Sequence, residues 1–188
     1  MYHNDIIQSV NILKQGGIIL YPTDTVWGIG CDATNIASIN RIYQIKKRTE
    51  KQSLLVLVDS IRMLQSYVDS IPDIALKIIN SAQKPTSIIY PASKNLPGNL
   101  VADDQSIGIR LINDPFCREV IQEFGKPLVS TSANISGEPT PGIFKMIADE
   151  IKMSVDYIVT WRQDDEQPAA ASAIIKVEND GKYQIIRK

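Results

Sequence analysis

Short runs rich in β-branched residues alternate with segments of helical period along the whole chain, and nearly every boundary carries Gly, Pro, Asn or Asp. This alternation constrains the fold more than any other feature, because it builds layered α/β structure rather than a bundle or a sandwich. Residues 18–21, 54–58, 87–90, 106–112, 128–129, 157–159, 173–177 and 183–186 read as strands. Asn4 or Asp5 caps a first helix bearing Ile6, Val10 and Leu13, which Gly16-Gly17 ends. Asn35 caps a second helix, Ser60 a third, and Pro72 opens a fourth; Asp114-Pro115 starts a fifth that Gly125 stops, and Thr140 caps a sixth carrying Ile143, Ile147 and Ile151. Pro22-Thr23-Asp24 folds the first strand back toward 28–32, and Asn179-Asp180-Gly181 turns a closing hairpin. Both turns introduce antiparallel neighbours. The expectation is one α/β domain over residues 1–188, a twisted, open, mixed sheet with helices on both faces.

Reactive side chains are scarce. The single histidine, His3, lies in the terminal helix, and there are two cysteines, Cys31 and Cys117. A Ser-His-Asp or Cys-His hydrolase lacks its base, and a zinc site lacks ligands. Both cysteines read as half-buried, reduced apolar residues. Apolar runs of strand length fall far short of the roughly 20 residues that span a bilayer. The polar start has no secretory pattern, so a cytoplasmic location without membrane contact is expected.

Lys plus Arg (20) nearly balance Asp plus Glu (21), so any anion-binding surface must be local. Arg41, Lys46, Lys47, Arg48 and Lys51 face one acid, Glu50, between 41 and 51, whereas six acids face two basic residues between 149 and 166. This asymmetry predicts a one-sided cationic surface for ATP or RNA phosphates. The ordinary alternative is a solvated helix end whose charges complement the macrodipole.

Four polar stretches fall at strand ends, where open α/β sheets place ligands. They are Pro22-Thr23-Asp24-Thr25, Lys46-Lys47-Arg48, Ser106 with Arg110, and residues 130–137 with four hydroxyls, Asn134 and Gly137. Basic groups and hydroxyls suit phosphates and carboxylates rather than a divalent metal cage. A turn rich in capping residues would explain 130–137 equally, and an alternating strand arginine would explain Arg110. Gly28 and Gly30 lack the third glycine and following helix of a dinucleotide fingerprint, and no GxxxxGK[ST] loop occurs.

The motifs Tyr21-Pro-Thr-Asp-Thr-Val-Trp-Gly-Ile-Gly-Cys-Asp32, Lys46-x-Arg48, Ser106-Ile-Gly-Ile-Arg110 and Pro127-Leu-Val-Ser-Thr-Ser-Ala-Asn-Ile-Ser-Gly137, with Ser172 and Arg187 following, resemble the YrdC/TsaC-like threonylcarbamoyl-AMP synthase family. They occur in the family's order over nearly the whole chain. The Lys-x-Arg and Ser-x-Asn signatures resemble the active synthases rather than the YciO-like branch.

That resemblance implies a YrdC-like fold and condensation of L-threonine, bicarbonate and ATP to threonylcarbamoyl-AMP and pyrophosphate. The adenylate would feed t6A formation at A37 of tRNA through downstream transfer proteins, with Mg²⁺ carried mainly on the ATP phosphates. It implies that Lys46 and Arg48 act catalytically on the phosphates. Arg110 would clamp threonine's carboxylate, and Thr25, Ser130 and Ser172 would complete that site. Gln52, Ser106, Ser132, Asn134, Thr140 and Arg187 would contact the nucleotide, and Asp24 would assist Mg²⁺ or orient Thr25. Three positions depart from the family pattern: Gln83 to Ser87 replace a Pro-Gly-Pro-x-Thr turn, Leu57 stands where longer members carry a threonine-contacting histidine, and Thr49 replaces a proline. Two other readings remain open. One is a double-stranded RNA or tRNA binder using the basic cluster; the other is the carbamoyl-adenylate chemistry of hydrogenase maturation proteins, whose zinc modules have no counterpart here.

Overall fold

In the computed structural model, which describes residues 2–48 and 54–188, nine strands hydrogen-bond into one sheet. Thr49 and Gln52 lie outside the described residues. The strands are β1 (Ile19–Tyr21), β2 (Gly28–Asp32), β3 (Leu55–Val58), β4 (Thr86–Tyr90), β5 (Ile107–Leu111), β6 (Leu128–Ser132), β7 (Tyr157–Ile158), β8 (Ala173–Val177) and β9 (Tyr183–Arg187). Their spatial order is β7-β1-β2-β6-β3-β5-β4-β8-β9. Pairs β7–β1, β3–β5 and β4–β8 are parallel and the other five antiparallel, so the sheet is mixed as expected.

The helices are α1 (His3–Lys14), α2 (Ile36–Ile45), α3 (Ile61–Tyr67), α4 (Asp73–Ser81), α5 (Pro115–Phe124) and α6 (Asp149–Ser154). Asn35, Ser60 and Asp114 each accept a hydrogen bond from a backbone N–H in the first turn of α2, α3 and α5. Gly125 closes α5 in the left-handed conformation, φ +78°, where a Cβ would be strained. Central β3 buries Val56, Leu57 and Val58 completely, which explains its unbroken apolar run. Cys31 and Cys117 are fully buried rather than half-buried, and burial pushes both thiols well up.

Two expected caps are not made. Tyr2 occupies the N-cap of α1 with no side-chain cap bond. Asp5 instead turns inward, accepting from Tyr157 Oη (2.6 Å), Thr160 N (3.0 Å), Thr160 Oγ1 (2.9 Å) and Trp161 N (3.0 Å). The helix predicted from Thr140 is likewise replaced. Thr140 lies outside any helix or strand, a 3₁₀ turn covers Phe144–Met146, and α6 starts only at Asp149. Ile147 and Ile151 are buried all the same, so the apolar spacing marked core contacts without one continuous helix.

The charge asymmetry also resolves differently. Arg41 pairs with Asp156 (2.9 Å) and Lys47 with Glu150 (2.8 Å), while Lys46 is buried. Part of the acidic stretch is therefore folded against the basic one, which neutralises Arg41 and Lys47 of the expected cationic surface, while Glu50 and Lys51 lie outside the described residues.

Burial raises the Asp5 carboxyl's pKa, but its four donors more than offset this and hold it below the ordinary value. A lowered acid contributes stability above the ordinary carboxylate pKa, about 4, and loses it as pH falls through the lower native value. Asp5→Ala is expected to cost about 3 kcal/mol in urea unfolding at pH 7, with a smaller difference from the parent below pH 3.

Candidate functional site

Register places the candidate side chains on one side of the sheet. Directly paired residues in neighbouring strands point to the same face. Gly28 pairs with Ser132, Gly30 and Leu55 with Ser130, and Leu57 with Arg110. Further along, Ser87 pairs with Ile174 and Ile174 with Arg187. Arg187 reaches this face through a bulge: Ile175 opposes Ile185 but Ile174 opposes Arg187, so Ile186 is the extra residue. Without that insertion Arg187 would point to the opposite face. Glycine keeps the floor open, since a Cβ on Gly28 would stand 3.0 Å from Ser130 Oγ. A Cβ on Gly30 would meet Val129 O at 2.5 Å and the Tyr21 ring at 2.7 Å.

Of these, Gly28, Leu55, Ser87, Arg110, Ser130, Ser132, Ile174 and Arg187 line a cavity of ≈ 280 Å³. Its threonine-side candidates Thr25, Arg110, Ser130 and Ser172 all reach the wall, as do Arg48, Ser132, Thr140 and Arg187. Among the described lining residues are three arginines and seven hydroxyls, and no carboxylate. Thr131 and Ser87 are lining hydroxyls that the sequence reading assigned no role. Val26 and Trp27, from the Tyr21–Asp32 motif, supply apolar surface, as do Leu55, Ala171 and Ile174, which no motif marked. A larger depression, ≈ 630 Å³, lies across Asp24 against α4 and α5. It mixes Asp24, Asp59 and Asp114 with Lys84 and Arg118 and contains none of the predicted site residues except the Asp24 candidate. The smaller cavity is therefore the candidate site.

Lys46, Asn134 and Ser106 do not line it. The Lys46 ammonium, 2% exposed, donates to Ser132 O and Asn134 O, both at 2.7 Å, while Ser136 N donates to Lys46 O. It thereby ties the end of α2 to the turn after β6 and puts positive charge behind that turn. Asn134 Nδ2 donates to Ile135 O and Glu138 O, shaping the same turn. Ser106 donates to Asp104 Oδ1 at the start of β5. Gln52 lies outside the described residues.

Arg110, 3% exposed, forms an ion pair through Nη2 with Asp24 Oδ1 at 3.0 Å, and the same nitrogen is 3.4 Å from Thr25 Oγ1. Thr23 Oγ1 donates to Val26 O and accepts from Thr25 N, and it lies 2.9 Å from Thr25 Oγ1. With Thr23's only hydroxyl hydrogen on Val26 O, Thr25 gives its own to Thr23 and keeps lone pairs for Arg110. On the opposite wall Arg187 Nε donates to Ser172 O (2.8 Å), and Ser172 Oγ lies 2.9 Å from Ser87 Oγ.

A family model described as "Telomere recombination", of the Sua5, YciO and YrdC proteins, matches residues 11–188. A threonylcarbamoyl-AMP synthase of Pseudoalteromonas translucida is 41% identical over 138 residues, 72% of this chain and 74% of its own. Escherichia coli YciO superposes with a TM-score of 0.84 at 23% identity, covering 98% of this chain and 89% of that one. Sua5 of P. abyssi, in complex with L-threonine, gives a TM-score of 0.81 at 22% identity over 92% of this chain. This chain spans only half of that protein. These two structures share the fold.

Burial, and then the neighbouring Arg48 charge, push the Lys46 pKa down to about 8. With pyrophosphate as the probe, calorimetric affinity is expected to weaken as pH rises through about 8, where the ammonium loses its charge. Lys46→Met should lack that step and lose about 2 kcal/mol of stability by leaving two carbonyls without their donor.

Proposed function

The chain belongs to the Sua5/YciO/YrdC family, and from that premise we propose that it is an L-threonylcarbamoyladenylate synthase, a nucleotidyltransferase using L-threonine, bicarbonate and ATP. The observation that carries the reading is the cavity itself: three arginines and seven hydroxyls converge with no carboxylate among the described lining residues. Such a wall suits a carboxylate and phosphates held together, and repels neither.

Threonine's amine attacks the carbon of bicarbonate, water leaves, and an N-carboxylate forms. One of its oxygens then attacks the α-phosphorus of ATP as the bond to the β-phosphate oxygen breaks, releasing pyrophosphate. No protein nucleophile is needed, in keeping with two buried cysteines whose thiols are pushed far up. The protein's task is to position reactants and stabilise developing charge.

Arg110 takes the amino-acid carboxylate, with Thr25, Ser130 and Ser172 around the rest of that substrate. Arg48 faces the phosphates, and Lys46 adds charge from behind the β6 turn while fixing its backbone. Ser132, Thr140 and Arg187 meet the nucleotide from the wall; Asn134 supports them by shaping the turn, and Ser106 and Gln52 complete the proposed nucleotide set. Among the described residues no group of three or more His, Cys, Asp or Glu side chains is placed to hold a metal ion. Mg²⁺ therefore enters this reading with the nucleotide phosphates, where it offsets their charge. The adenylate passes to downstream transfer proteins for t6A formation at A37 of tRNA in the cytoplasm. Double-stranded RNA binding is a secondary property in this reading. Among the described residues no helix is long and apolar enough to cross a membrane.

Pyrophosphate release from ATP is expected to require both L-threonine and bicarbonate, and to fall by at least about 100-fold in Arg48→Ala and Arg110→Ala with the fold intact. Release independent of threonine, or unaffected by both variants, would contradict the assignment.

A further inference from the structure

Arg110 is nearly solvent-free, so its guanidinium cannot rely on water to balance its charge. The balancing group is Asp24, and it approaches from an unexpected side. Asp24 does not line the reaction cavity; it borders the larger depression next to α4 and α5, with 15% of its side chain exposed. The ion pair therefore crosses the wall between two cavities, guanidinium toward one and carboxylate toward the other.

Both contacts of Arg110 collect on a single nitrogen, Nη2, from Asp24 Oδ1 at 3.0 Å and Thr25 Oγ1 at 3.4 Å. Its Nε–H is buried and has no hydrogen-bond partner among the described residues. Held through one terminal nitrogen, the arginine lines the cavity with its other terminal nitrogen left for an incoming carboxylate. Asp24 is itself fixed by its turn. Thr23 Oγ1 bonds Thr25 N and Val26 O, Cys117 Sγ donates to Pro22 O, and Arg162 Nη1 donates to Thr23 O at 3.2 Å.

We propose that Asp24 is a positioning residue for the proposed amino-acid substrate: it anchors Arg110 from behind the cavity wall so that the remaining guanidinium donors meet the substrate carboxylate. The proposal rests on the synthase reading. It departs from a metal-assisting or Thr25-orienting role for Asp24. Burial raises the Asp24 pKa, Arg110 lowers it and Asp114 raises it again, with a net upward shift.

The test compares the parent protein with Asp24→Asn, Arg110→Ala and the double variant. Asp24→Asn is expected to raise the threonine KM by about 10-fold or more, with kcat and the ATP KM within about twofold. Its thermal midpoint is expected to fall, because Arg110 is left buried without its counter-charge, while the protein stays folded. The double variant should be no worse than Arg110→Ala alone, because Asp24 acts through Arg110. In calorimetry without ATP, Asp24→Asn should weaken L-threonine but not L-threoninol, which lacks the carboxylate. An unchanged threonine KM, additive losses in the double variant, equal weakening of both ligands, or loss of the fold in Asp24→Asn would each overturn the proposal. Failure of the synthase reading has its own signature, a folded parent protein that binds L-threonine yet releases no threonine-dependent pyrophosphate.

Discussion

Two positive charges are carried almost completely out of water, Arg110 at the wall of one cavity and Lys46 behind the turn that borders it, and the local structure is organised around making that tolerable. An unpaired buried charge costs several kcal/mol, so each cation needs its own partners within the fold. Lys46 finds two backbone carbonyls in the turn after β6, and Arg110 finds the carboxylate of Asp24. The solutions have different chemical consequences. Carbonyl partners leave the Lys46 charge uncancelled, so its field reaches the cavity through the turn it holds. A carboxylate partner largely neutralises Arg110, which leaves hydrogen-bond geometry as much as net charge to recognise a ligand.

The sheet makes these local solutions converge. β1 and β2 form a hairpin, β2 then pairs with β6, and β6 with β3, bringing together sequence segments about a hundred residues apart. Register does the rest: once Leu55 and Gly30 both lie opposite Ser130, and Leu57 lies opposite Arg110, the cavity-facing side of four strands is fixed. Leu57 fills, with complete burial, the position beside Arg110 where longer relatives are expected to carry a histidine. At the far edge a single bulge carries Arg187 back to the cavity face.

Much of this was legible in the residues, for reasons that differ from part to part. Asn35, Ser60 and Asp114 act through bonds to N–H groups three residues away, so their caps can be read locally. Arg110 could be placed by alternation and motif, but not its partner, because Asp24 lies 86 positions away and approaches from the other side of the wall. Asp5 looked like a cap for the same reason it is a good clamp: a short carboxylate accepts from whichever N–H and O–H groups surround it. Thr140 and Ile143, Ile147 and Ile151 fit a helical pattern, yet Pro141 and Gly142 interrupt the segment, and Gly142 packs against Pro168. The neutralisation of Arg41 and Lys47 by Asp156 and Glu150 depends on β7 pairing with β1, a long-range event that local charge counts do not contain. Neither does any local signal announce the bulge at Ile186.

The central claim is that one acid-free cavity joins an amino acid, a one-carbon unit and a nucleotide. The most direct measurement is mass spectrometry of the product formed from ATP, L-threonine and ¹³C-bicarbonate. The account predicts a threonine–AMP adduct that contains the extra carbonyl and carries the ¹³C label. A threonyl-AMP without that carbon, or AMP with no adduct under conditions that preserve the carbamoyl adenylate, would contradict it.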